Sequence, residues 1–255
     1  MNYRMIFSTA GKVVITMGLL MLLPLITALI YAEWWCALSF GITIAGAMLV
    51  GFAMVFLFKP KNMIFFSKEG FITVAVCWLA ASFVGAVPFV ISGEIPNYAD
   101  ALFEIVSGLT TTGASIVSNV EALSKSILFW RSFSHWVGGM GVIVFVMAIT
   151  ARAPDRSMHI LRAEMPGPIV DKLVPRSKDT AKILYLIYMA LTGVMVIALL
   201  LCGMPLFDSL VHAFGTAGTG GFGIKADGVA SYSPAAQWAL TIGMFVFSIN
   251  FNLYY

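Results

Sequence analysis

Long apolar runs alternate with short polar stretches along this chain. Residues 13–32, 34–58, 71–93, 132–151, 183–207 and 228–255 contain no Asp, Glu, Lys or Arg. Each run is about 20 residues or longer, enough helix to cross a hydrocarbon core of roughly 30 Å. The pattern therefore predicts six membrane spans and an all-α fold. The first run is too long for a signal-peptide core and has no small-residue cleavage site after it, so it reads as a retained span.

Two of the intervening stretches resemble each other. The first is IPNYADALFEIVSGLTTTGAS, residues 95–115, and the second is MPLFDSLVHAFGTAGTGGFG, residues 204–223. Each has a Pro (Pro96, Pro205), then an Asp at the start of a short apolar helix pattern, then a Thr/Gly cluster. Placing Asp100 on Asp208 needs no gap, and Leu102 then meets Leu210, Thr111 meets Thr219 and Gly113 meets Gly221. A repeat of span, short helix, Gly-rich loop and span reads as a tandem duplication in parallel. Ten residues from Asp100 to Leu109 make about 15 Å of helix, half a bilayer. The chain must then return to its starting side, so each stretch is expected to be a re-entrant hairpin. Pro and Asp suit the positive end of a helix. The negative end then points at mid-membrane, where a cation is the natural occupant. Non-helical backbone is tolerated at that depth only where protein or water satisfies it. Gly permits close approach to an ion, and the Thr hydroxyls of Thr110, Thr111 and Thr112 add oxygen ligands or brace the loop.

Composition agrees with a membrane protein: 60% of residues are hydrophobic and 11% charged, against about 25% charged in soluble domains. Of the 15 Lys and Arg, the 12 at Arg4, Lys12, Lys59, Lys61, Lys68, Arg152, Arg156, Arg162, Lys172, Arg176, Lys178 and Lys182 fall on one side. That side is cytoplasmic by the positive-inside rule, which places both chain ends there. The outer side carries Glu33, Glu94, Asp100, Glu104, Glu121, Asp208 and Asp227 and is expected to act as a cation-concentrating mouth. Arg131, near the outer end of the fourth run, either snorkels to the interface or braces the first hairpin through Glu104 or Asp100. A net charge of +3 gives no case for nucleic acid. Cys36, Cys77 and Cys202 sit in apolar runs and read as small buried hydrophobes. His135, His159 and His212 are scattered, and no span carries paired carboxylates or a His/Cys constellation, so an enzyme is the weakest reading. GTAGTGGFGIK, residues 215–225, lacks the Gly-Lys-Ser/Thr order of a phosphate loop. Gly138 to Gly141 reads as a helix-packing surface.

FEIVSGLTTTGAS (residues 103–115), FWRSFSHWVGGMGVIVF (129–145), HAFGTAGTGGFG (212–223) and INFNLYY (249–255) resemble the Trk/Ktr/HKT superfamily of potassium transporters, most closely its TrkH-type pore subunits. The resemblance implies four membrane helix–pore helix–filter loop–membrane helix repeats arranged as in a potassium channel. It places a selectivity filter at Thr110, Thr111, Thr112, Gly113, Gly218, Thr219, Gly220 and Gly221, with potassium held at Thr111, Thr112, Gly113, Thr219, Gly220 and Gly221. A Gly at the position of Gly113 goes with potassium preference in that superfamily, and Ser with sodium. A Ser at Gly113 is expected to keep the fold while lowering that preference, and a Ser at Gly220 to do less. The expected organisation is two extra helices in 1–66, a first repeat in 67–151 with its hairpin at 96–118, a basic cytoplasmic linker at 152–182, and a second repeat in 183–255 with its hairpin at 205–226. The chain is expected to stop before a third and fourth repeat. The implied function is potassium uptake across a bacterial inner membrane with no cofactor. The alternative is a secondary transporter of another cation, such as sodium, or of a small solute. Implied partners are the lipid bilayer, a second copy of the full-length subunit, and cytosolic TrkA-type nucleotide-binding subunits at the basic linker.

In a background without the native cysteines, Cys placed at Asn119 or Asp227 is expected to react from outside with an impermeant thiol reagent. Cys at Ser157 is expected not to react, and its labelling from outside would overturn the topology.

Overall fold

Pro24 sets the first feature of the fold. It has no N–H to give to the helix, and its ring crowds the carbonyl four residues back, so the first run is two helices rather than one. In this computed structural model, which describes residues 2–60, 67–139, 141 and 177–249, α1 (Tyr3–Leu20) breaks at Met21 and continues as α2 (Leu22–Ile30). α3 (Trp34–Leu57) and α4 (Ser67–Ile91) follow, and then a short helix α5 (Tyr98–Leu109). A 3-10 turn, Val120–Ala122, leads to α6 (Lys125–Gly139). The second half has α7 (Ser177–Leu201), a short α8 (Leu206–Ala217) and α9 (Pro234–Ser248). Every regular element among the described residues is helical.

Four helical stretches there are long and apolar enough to cross a bilayer: Tyr3–Ile30, Trp34–Leu57, Glu69–Ile91 and Lys182–Leu201. Parts of the expected fourth and sixth spans lie outside the described residues, as do residues 152–176 of the basic linker, including Arg152, Arg156, Arg162 and His159. Boundaries move for local reasons. The first helix starts at Tyr3, ten residues before the apolar run, with the Asn2 side chain accepting from the Met5 N–H at 3.3 Å. α7 begins at Ser177, inside the expected linker, and ends at Leu201, short of the apolar run. Gly203 then reverses the chain with φ 84°, as Gly93 does after α4 with φ 79°. Apolarity alone could not mark those ends, because Met204 to Phe207 remain apolar through the turn.

α1 packs on α3 and α4, α2 on α3 and α6, and α4 on α5. α6 lies between the two short helices, touching both α5 and α8, while α7 and α9 flank α8. The α1–α3 contact is close because a Cβ on Gly11 would stand 2.9 Å from the Gly51 carbonyl oxygen, and one on Gly51 would stand 2.9 Å from that of Gly11. Such small-residue contacts are how helices approach in membranes. Trp34, Trp35, Leu49, Phe56, Phe71, Trp238 and Phe245 are exposed on the outside of the helices, as a lipid-facing surface requires.

Three of the carboxylates expected at the mouth, Glu33, Glu94 and Glu121, are tied into the fold by backbone N–H groups. Glu33 accepts from the Lys125 N–H at 2.7 Å and the Ser126 N–H at 3.0 Å. Glu94 accepts from the Ser124 N–H at 3.3 Å. Two carboxylates from the α2–α3 and α4–α5 turns therefore cap the start of α6, meeting both its free N–H groups and its positive end. Glu121 similarly accepts from the Ala226 N–H at 3.0 Å, joining the segments that follow the two Thr/Gly stretches.

Glu33→Ala is expected to destabilise the protein by about 1 kcal/mol, the usual worth of a helix cap. Glu33→Gln, which keeps an acceptor, is expected to lose less. Thermal unfolding in detergent, followed by tryptophan fluorescence, measures both.

Candidate functional site: two Thr/Gly loops and their clamp

The two Thr/Gly loops have the same backbone. After α5, Thr110 N–H donates to the Val106 carbonyl at 2.8 Å, Thr111 to Gly108 at 3.0 Å and Thr112 to Ser107 at 2.9 Å. After α8, Gly218 donates to Phe214 at 3.1 Å, Thr219 to Thr216 at 2.9 Å and Gly220 to Gly215 at 3.1 Å. Each bond of the second set is displaced by 108 residues from its counterpart, the offset read from the sequence. This is a Schellman closure, which wants a left-handed residue just past the helix. Thr111 supplies it with φ 54° and Thr219 with φ 57°. A β-branched residue in that region costs about 1–2 kcal/mol. The same strained choice at both loops is the kind of outlier that clusters at functional sites. Gly113 and Gly221 follow, each at φ 77°. The Thr110 hydroxyl donates back to the Val106 carbonyl at 2.7 Å and lies 2.8 Å from that of Thr112, so these hydroxyls brace the loop.

The loops meet. A Cβ on Gly113 would run into the Gly220 carbonyl oxygen, and one on Gly220 would run into the His135 imidazole. One on Gly218 would strike the His135 backbone, and one on Gly138 the Leu109 carbonyl. α6 is thus wedged behind both loops, and Gly138 and Gly139 form the packing surface expected of that stretch; Met140 lies outside the described residues. Two expectations change. A Ser at Gly113 is not a change the fold accepts freely, because the Gly220 carbonyl of the neighbouring loop occupies the space beside it. Gly220 is as confined as Gly113, so a Ser there is not the milder change. Gly221 is the roomier position, with only the mobile Met244 methyl near, at 3.3 Å.

Arg131 holds the arrangement together. It is 2% exposed and does not snorkel. Its Nη2 lies 2.6 Å from Oε1 of the fully buried Glu104, and its Nε donates to the same oxygen at 2.7 Å. Glu104 in turn accepts from the Ser115 hydroxyl at 3.0 Å and the Ile116 N–H at 3.0 Å, both on the first loop. Arg131 also donates to Ser115 Oγ at 3.1 Å, reaches the Gly223 carbonyl at 3.4 Å, and lies over the Phe222 ring at 4.4 Å. One guanidinium therefore touches both loops. Asp100, the other partner considered for it, makes no ion pair among the described residues.

Other anchors of α6 escaped the sequence. Trp130 Nε1 donates to the Gly85 carbonyl at 3.0 Å, Trp136 Nε1 to Thr192 Oγ1 at 3.1 Å, and Tyr188 OH to the Trp136 carbonyl at 3.0 Å. The partners lie 45 to 56 residues apart, and no local pattern announces them. His135 stacks edge-on against Phe222 at 4.2 Å. Its two ring nitrogens have no hydrogen-bond partner among the described residues. No group of three His, Cys, Asp or Glu side chains among those residues converges as a metal site would. The oxygen on offer belongs to loop carbonyls and hydroxyls.

The family model described as TrkH, cation transport protein, matches residues 38–255. This chain belongs to the TrkH family. It is a multi-pass membrane protein of that cation-transport family, similar at 38% identity over 259 residues to the Trk system potassium uptake protein TrkH of Salmonella typhimurium, across 100% of this chain and 53% of that protein. Identity to the Escherichia coli K12 protein of the same description is 37%, with the same coverage. The crystal structure of the potassium transporter TrkH from Vibrio parahaemolyticus superposes with a TM-score of 0.85 at 31% identity, covering 100% of this chain and 51% of that one. The chain thus spans about half the length of the TrkH relatives it matches.

Arg131→Leu leaves the Glu104 carboxylate buried without its counter-charge, and is expected to cost about 3–5 kcal/mol. Replacing both Glu104 and Arg131 by Leu is expected to be less damaging than Arg131→Leu alone. Thermal unfolding of the purified variants checks the order.

Proposed function

We propose that this chain forms the first two of four repeats of a potassium-conducting subunit in a Trk-type uptake system. The observation that supports this best is the pair of loops with one backbone geometry, meeting at Gly113 and Gly220. In this reading α5 and α8 are pore helices, and residues 110–113 and 218–221 are two quarters of a selectivity filter. The carbonyls of Val106, Ser107 and Gly108 already accept from the first loop's own N–H groups. The helix end therefore supplies field, and the direct ligands are the carbonyls of Thr111, Thr112, Gly113, Thr219, Gly220 and Gly221. Potassium sheds its hydration shell when enough oxygen dipoles face it at once. Two loops present half a ring, so conduction belongs to a chain with all four repeats. The proposed organisation is the one set out from the sequence, with two extra helices before residue 67 and repeats at 67–151 and 183–255. The basic residues of 152–182 place that linker, and both chain ends, in the cytoplasm of a bacterium. There the linker is a surface for TrkA-type regulatory subunits, and the full-length subunit pairs with a second copy.

Both glycines stand at φ 77°, which strains any side chain; Gly221→Ser otherwise meets only the Met244 methyl, while Gly113→Ser also presses on the other loop. In a chain extended to the full length of the matched relatives, both are expected to lower potassium preference over sodium by about tenfold, or roughly 1.4 kcal/mol of differential binding. Both are expected to lower thermal stability, Gly113→Ser by more because it also strikes the Gly220 carbonyl. Current at defined potassium and sodium gradients in planar bilayers measures the preference. Unchanged preference in folded variants of both positions would show that the loops do not form the filter. Saturable exchange without current would replace the pore by a carrier.

A further inference from the structure

The two repeats solve one problem differently. Behind the first loop stand Glu104, Arg131 and Ser115, with their charges and hydrogen bonds matched. At the 108-residue offset Glu104 becomes His212 and Ser115 becomes Gly223. Ser124, which opens α6, corresponds to Ser233, the N-cap of α9, and on that alignment Arg131 becomes Leu240. The ion pair has no counterpart. In its place is a cavity of about 130 Å³, partly open beside Val229 and Thr241, with the buried His212, Thr216, Phe222 and Leu240 in its inner wall.

Two buried polar atoms in that wall are unsatisfied. His212 is 5% exposed and Thr216 1%. His212 Nε2 and Thr216 Oγ1 have no hydrogen-bond partner among the described residues. They are four residues apart on α8, so they share a face of the helix. Buried polar atoms in native proteins are paired with protein or with ordered water. Phe222, Val229, Leu240 and Met244 make most of the wall apolar, but His212 Nε2 and Thr216 Oγ1 interrupt it with two polar atoms that a dry cavity would leave unpaired. No carboxylate lines the space, and Asp208, one turn before His212, accepts from the Tyr232 hydroxyl at 2.8 Å. A bare cation would find no counter-charge, whereas a small neutral molecule that both donates and accepts fits both atoms.

We propose that the inner wall of this cavity is a water site, and that water bound between His212 and Thr216 supports the second loop from the side away from Arg131, which reaches that loop only through Phe222 and the Gly223 carbonyl. The volume is ample for at least one water. The loop runs directly over it: the Phe222 carbonyl oxygen lies 3.1 Å from where a Cβ on Gly215 would stand, and Gly221 and Phe222 line the cavity itself. Water can leave or reorient, while a buried ion pair cannot, so the second loop is the more yielding of the two. The functional meaning of that difference rests on the filter reading; the water site does not.

The experiment uses a chain extended to the full length of the matched relatives, at a resolution that shows ordered water. Density is expected about 3 Å from both His212 Nε2 and Thr216 Oγ1, lost in Thr216→Val and retained in Thr216→Ser. A dry cavity, or one filled by a side chain, overturns the site whatever the ion preference of the Gly113 and Gly221 variants. Hydrogen exchange tests the support. Thr216→Val is expected to speed exchange of the 219–223 amides by about tenfold and leave 111–115 unchanged, with Thr216→Ser like the parent. Equal exchange in parent and Thr216→Val overturns the supporting role.

Discussion

A carboxylate and a guanidinium buried against each other govern this structure. Neither Glu104 nor Arg131 tolerates removal from water alone, and the cost is met only when the pair is close and every remaining lone pair and proton is used. The pair is close, and each nitrogen of Arg131 and each carboxylate oxygen of Glu104 has a hydrogen-bond partner. Glu104 gathers Arg131, Ser115 and Ile116, while Arg131 gathers Glu104, Ser115, Phe222 and the Gly223 carbonyl. The requirement to keep this pair satisfied fixes the first loop on α5, sets α6 at one depth beside it, and brings the second loop against the first.

α6 is the element that the pair positions, and most of the other long-range polar bonds serve it. Glu33 and Glu94 hold its start from two different turns. Trp130 and Trp136 tie its sides to α4 and α7. Its glycines and His135 then let both loops lie on it at backbone distance. The helices before residue 67 have a structural use in this scheme, since the turn between α2 and α3 contributes the Glu33 cap.

The duplication is preserved in the backbone and relaxed in the side chains. Schellman bonds, left-handed threonines and positive-φ glycines recur at an offset of 108 residues. The packing partners exchange instead. Gly108 on α5 faces Ser134 of α6, while Thr216 on α8 faces Gly243 of α9, so the small residue has changed helices. Backbone geometry is what a ring of carbonyls would require of each repeat. The surroundings need only fill the space.

The sequence by itself determined what depends on local composition and period. Apolar length marked the membrane helices, the Thr/Gly recurrence marked both loops and their register, and the residues from 103 to 115 and from 212 to 223 carried the family. Loop geometry was legible because a helix closing onto a turn is a matter of a few adjacent residues. Only the tertiary structure decided the partners. Arg131 could have snorkelled or paired with Asp100, and its choice of Glu104 depends on how α6 lies on α5. The use of Glu33 and Glu94 as caps depends on turns 30 or more residues from α6 in the chain. The confinement of Gly113 by Gly220 depends on two loops separated by more than 100 residues. A one-dimensional pattern records which side chains are available, whereas burial, charge pairing and backbone approach are settled only when distant segments share a volume.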